Sequence, residues 1–181
     1  MTIHVELMRL EIDRYDWAEM QCGCQRSAEH LAADLLALAQ GTEDMDLTDH
    51  VVAPGEILVE ASLPALAVAL AAIACGGSEQ ARDRFFHLVL CLIGDNGHAF
   101  DLFEGRKPVE ECRALARTGL WMFYSEVLEG RSGPNVVACA FDILSILEHD
   151  GDSQDRVLRV QAAAAERLPW DLRPPHNPFE L

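Results

Sequence analysis

Apolar positions in this chain recur at helical spacing, in runs separated by glycine, proline and acidic residues. Leu31, Leu35, Leu36 and Leu38 place an apolar stripe on a helix that Ser27 starts as an N-cap and Gly41 ends. A second run covers 56–75, carries Leu66, Val68, Leu70 and Ile73, and stops at Gly76-Gly77. Pro64 inside that run predicts a kink or an interruption, because proline removes a helical hydrogen bond. The third run, capped by Ser78, carries Phe85, Leu88, Val89, Leu92 and Ile93 up to Gly94. It is apolar nearly all round after Arg84, which predicts a central position. Pro108 opens a fourth helix that runs through Leu115, Leu120, Trp121, Tyr124 and Leu128 to Gly130, with Trp121 and Tyr124 facing the core. The pattern then gives a fifth helix over 135–148 and a sixth over 153–168, after the turn Asp150-Gly151-Asp152.

These runs fall into pairs whose first helices start near 28, 79 and 135. The reading is therefore all-α, a short α-solenoid of about three stacked helix pairs, whose faces are buried only by stacking. A non-repeating bundle with longer loops gives the same string. The boundaries are those of a single domain over 1–181. It has an N-terminal cap at 1–26, helix pairs at 27–168 and a proline-rich tail at 169–181.

The stretch 53–70 reads Ala-Pro-Gly-Glu-Ile-Leu-Val-Glu-Ala-Ser-Leu-Pro-Ala-Leu-Ala-Val-Ala-Leu. A loop leads into a helix through an acidic Glu60, a small Ala61 and an internal Pro64, ahead of a Leu-rich face. In that outline, and in Tyr15-Asp16-Trp17 preceding the helix 27–41, the chain resembles HEAT-like repeat proteins of high-GC bacteria. The resemblance implies a binding scaffold and supplies no catalytic residues.

Charge sharpens this picture. The net charge is −16, and residues 1–56 carry 12 acidic and 3 basic side chains of that total. Such a field repels nucleic-acid phosphates and anionic lipid and attracts basic partners; it also keeps a protein dispersed. The uninterrupted apolar or small run 61–75 is too short for a bilayer, which needs about 18–20 residues. The start lacks the basic and apolar regions of a signal peptide, so the expectation is a cytoplasmic protein with reduced thiols.

Candidate chemistry is sparse. Cys22-Gly23-Cys24 with His30 offers two sulfurs and an imidazole, part of a zinc set. C-x-C is a poor zinc spacing and no second close pair follows, so the default is a turn with packed thiols, with no metal and no cofactor expected. The loop 95–101, with Asp95, Asn96, His98 and Asp101, is the candidate for an enzyme or small-ligand reading. No Walker A, G-x-S-x-G or H-E-x-x-H pattern is present.

The expected function is a non-catalytic protein–protein interaction module with an acidic surface. An immunity or inhibitor protein masking a basic partner is one concrete form. The candidate partner-binding residues are Tyr15, Asp16 and Trp17, with Glu43, Asp44, Asp46 and Asp49. Aromatics dominate interface energetics, and carboxylates steer basic partners. DNA mimicry is a third reading; it needs paired acidic rows that these helices do not display.

Overall fold

Alanine and leucine, strong helix formers, dominate the apolar set, and the chain is mostly helical. The computed structural model describes residues 3–41, 46–53, 57–94, 108–149 and 151–174. It divides into two compact units, Met1–Gly119 and Leu120–Leu181.

The first unit contains helices α1 (Ile3–Ile12), α2 (Glu29–Gln40), α3 (Thr48–Val51), α4 (Ser62–Cys75), α5 (Glu79–Ile93) and α6 (Pro108–Thr118). Between α3 and α4 lie two short strands, β1 (Val52–Ala53) and β2 (Ile57–Leu58). They pair antiparallel, Val52 with Leu58 and Ala53 with Ile57. The centre of this unit is α4. Every side chain from Pro64 to Ile73 is buried, and α1, α2, α5 and α6 all pack against it. The reason is composition: α4 carries no charge and no polar stripe, so no face gains from water. Its alanines also let neighbours approach closely. The central role expected for α5 therefore belongs to α4. The helix runs through Pro64 without interruption. The helix starts at Ser62, so Pro64 sits in the first turn, where backbone N–H groups have no intrahelical partner to lose.

The predicted punctuation holds at several ends. Ser78 Oγ accepts from the Ala81 N–H at 3.2 Å and starts α5. Gly41 ends α2 in the left-handed region at φ 67°, with its N–H turned back onto the last turn. Of the N-terminal cap expected at 1–26, the described residues form α1 followed by turns.

The second unit contains α7 (Leu120–Glu129), α8 (Pro134–Leu147), α9 (Gly151–Ala163) and a short 3₁₀ turn (Trp170–Leu172). The helix expected from Pro108 to Gly130 is thus interrupted at Gly119. Phe123, Val127, Val137, Ile143 and Leu144 form part of its core. Tyr124 is buried as expected; Trp121 is not, and stands 71% exposed. Two carboxylates are buried here with partners. Glu126 accepts from the Ser132 N–H at 2.9 Å, which holds the break before α8. Glu148 pairs with Arg156 at 3.1 Å. Among the described residues no helix is long and apolar enough to cross a membrane.

Candidate metal centre

The loop before α2 is a miniature hairpin. Ala28 N–H donates to Met20 O and Cys22 N–H to Arg26 O, both at 2.9 Å. Gln25 N–H closes the turn onto Cys22 O at 2.9 Å, with Gln25 itself in the left-handed region at φ 65°. This turn lifts Cys22 and Cys24 to one side, two residues apart and with their sulfurs 3.4 Å from each other. Gly23 between them donates to His50 O at 2.8 Å, which docks the loop against the end of α3. Only glycine allows that approach: a Cβ at position 23 would lie 2.4 Å from Asp49 O and 2.9 Å from Val52 O.

Docking brings in two imidazoles. His30, in the first turn of α2, places Nε2 3.5 Å from both Cys22 Sγ and Cys24 Sγ. His50, in α3, places Nδ1 3.3 Å from Cys22 Sγ and 3.1 Å from His30 Nε2. The four donor atoms all lie within 4.8 Å of one another. In a tetrahedral zinc site the edges are about 1.6 times the bond lengths, so about 3.8 Å between sulfurs and about 3.3 Å between nitrogens. Five of the six edges measured here run from 3.1 to 3.5 Å. Those five edges are within a few tenths of an ångström of a tetrahedron around one ion, and the sixth, Cys24 Sγ to His50 Nδ1, is no longer than 4.8 Å.

The surroundings suit a metal as well. His30 Nδ1 lies 2.8 Å from Ser27 O. A carbonyl only accepts, so the proton sits on Nδ1 and the Nε2 lone pair faces the sulfurs, the tautomer a metal requires. Cys22 is buried, and the other three donors are half-buried. Burial first of all pushes the Cys22 thiol up to about 11. Hydrogen bonds from the Arg26 side chain and backbone pull the Cys24 thiol down to about 6. Arg26 Nε stands 3.5 Å from Cys24 Sγ. Near neutral pH the metal-free quartet thus holds one preformed thiolate at Cys24 and one thiol at Cys22.

The residues singled out from sequence fare differently. Trp17 is only 5% exposed, and its indole N–H donates to Ile12 O at 2.9 Å. It closes the end of α1 as a core residue, which leaves little of this candidate partner-binding side chain at the surface. Tyr15 packs edge-on against Trp17, with the rings 6.1 Å apart, and carries Arg14 over its face. Asp16 is exposed. Asp46 Oδ1 accepts from the Thr48 N–H at 2.9 Å and so starts α3; Asp49 is exposed on that helix. Both acidic residues precede His50 in the chain, and Asp46 also borders Arg84 and His87. Glu43, Asp44 and the loop 95–101 lie outside the described residues.

His50 is what the sequence reasoning missed. It stands 26 residues beyond Cys24 and was one of seven scattered histidines. A usable signal was present: the glycine of C-x-C demands a close backbone approach, and a short capped helix follows the acidic stretch. A second polar grouping, with Asp46, Thr48, Arg84 and His87, lines a shallow pocket beside Leu38 and Leu88. Cys91 lies 3.6 Å from His87 Nε2 there, but burial pushes its thiol up, away from nucleophilic use. No family model, curated protein or solved structure matches the chain.

Proposed function

We propose that this chain is a zinc-binding helical protein, with Cys22, Cys24, His30 and His50 holding one Zn²⁺ in a structural role. The observation that carries the reading is the convergence of two sulfurs and two imidazole nitrogens, from three separate segments, to within 4.8 Å of one another, with the His30 Nδ1 held by Ser27 O. A two-sulfur, two-nitrogen tetrahedron favours zinc among the common metals. Four protein ligands fill the coordination shell, which leaves no open position for substrate. The ion would tie the 20–28 hairpin, the start of α2 and the end of α3 together. Through α3 it would also position β1.

The biological role we assign to this metal-organised unit is binding rather than catalysis. Asp46 and Asp49 are exposed at the start of α3, the helix that carries His50, in the most acidic third of the sequence, and support a basic protein as partner. The packing of α4 on α5 across a three-residue connection suits a HEAT-like stack and a bundle around α4 equally.

The test of the metal reading is stoichiometry. The purified chain, loaded with Zn²⁺ and freed of excess, is expected to retain one zinc per chain by elemental analysis. Cys22→Ser and His50→Ala should each weaken retention by more than about 100-fold, the upper range for losing even an outer partner of a metal ligand. Retention unchanged in both variants, with the fold intact by circular dichroism, would exclude this site.

A further inference from the structure

We infer that a hydroperoxide converts Cys22 and Cys24 into a reversible disulfide, and that forming this bond expels the metal. The inference rests on the zinc reading above and adds the regulation of that site. Three features carry it. The two sulfurs are 3.4 Å apart, and a disulfide needs about 2.05 Å, a closure of roughly 1.4 Å within one turn. Cys24 is half-buried at the rim and Cys22 is 1% exposed behind it. An oxidant from solvent therefore meets Cys24 first, with Cys22 in place to resolve the product. Finally, Gly23 puts no side chain between the two cysteines.

The chemistry balances without a further reactant. Cys24 Sγ attacks one oxygen of hydrogen peroxide, the O–O bond breaks, and the departing hydroxide takes a proton to become water. Cys24 is then a sulfenic acid. Cys22 Sγ attacks Cys24 Sγ, the S–S bond forms, the S–O bond breaks, and a second hydroxide leaves as water. The two thiolates lose two electrons, the peroxide gains them, and two protons come from solvent. Disulfide sulfurs carry no thiolate charge, so zinc keeps only His30 and His50 and is released to water. The loop then loses its metal link to α3. A dithiol reverses the step by thiol–disulfide exchange.

The experiment uses the full chain loaded with Zn²⁺, with zinc retention measured before oxidant is added. Hydrogen peroxide is then added with a chromogenic zinc chelator present, and the alkylated protein is digested with trypsin. Cleavage after Arg14 and Arg26 leaves both cysteines on one peptide, 15–26. The expected result is release of the bound zinc, against none in buffer alone, with peptide 15–26 unalkylated and two hydrogens lighter than its dithiol form. Dithiothreitol should restore both thiols and zinc retention. Zinc that stays bound under peroxide would overturn the inference and leave the zinc reading standing. So would release accompanied by sulfinic acid, or by a disulfide to Cys75, Cys91, Cys112 or Cys139. A chain that retains no zinc in the first measurement overturns both, and that failure is read before peroxide enters.

Discussion

Removing the metal with a chelator lowers the melting temperature of the chain by roughly 10 °C. The estimate follows from linkage: an ion bound at about a thousand times its dissociation constant stabilises the folded state by about 4 kcal/mol. For a domain of this size each kcal/mol moves the midpoint by about 2–4 °C or more. The fold itself should survive, because α4 and its neighbours form a core apart from the metal. The loss is therefore local, centred on the 20–28 hairpin, α3 and β1, and hydrogen exchange should place it there. Its pH dependence has a definite sign. Between about 6 and about 11 the quartet holds a thiolate at Cys24 and a proton on Cys22. Zinc entry must displace that proton, so the sulfurs make zinc binding tighter as pH rises, by about tenfold per pH unit. Differential scanning fluorimetry with and without chelator checks both the size and the trend. An unchanged midpoint at every pH would remove the structural role.

Gly23→Ala has the second large effect. The added methyl would meet Asp49 O at 2.4 Å and Val52 O at 2.9 Å, both backbone atoms that cannot rotate away. Either the loop lifts off or α3 shifts, and each route breaks the Gly23 N–H bond to His50 O. Overpacking of this kind costs about 1–3 kcal/mol. Where the loop gives way, the cost appears as about 10–100-fold weaker zinc binding. Gly77→Ala is the control, since its methyl meets only Ala81 Cβ at 3.9 Å. It should change neither zinc affinity nor stability beyond the usual range of surface substitutions, about 0.5 kcal/mol. Equal zinc affinity in Gly23→Ala and the unsubstituted chain, by competition titration, would mean the loop does not need its present docking.

The helices were legible because their signals are local. Ser78 capping α5, Gly41 ending α2 and Pro108 opening α6 each act within a few residues. The misjudged points depend on tertiary context. Trp17 and Trp121 are both aromatic and flanked by polar or apolar neighbours, and nothing local says which one reaches a core. Pro64 reads as a kink until the helix is known to begin at Ser62. The β1–β2 pair rests on two residues per strand, too short for alternation to register. The metal centre was half legible. Cys22, Cys24 and His30 stand close in sequence, whereas His50 arrives only because α3 docks on the loop through Gly23. Spacing rules drawn from close cysteine pairs do not anticipate a ligand delivered by docking.

The most direct measurement is the absorption spectrum of the chain with Co²⁺ in place of zinc. Cobalt reports its own geometry and ligands. Coordination by Cys22, Cys24, His30 and His50 predicts the intense visible bands of a tetrahedral ion, together with sulfur-to-cobalt charge transfer in the near ultraviolet, saturating at one cobalt per chain. Both signals should vanish on adding zinc, and the charge transfer should weaken in Cys24→Ser. A weak octahedral spectrum without charge transfer would contradict the assignment of these four residues as a metal centre.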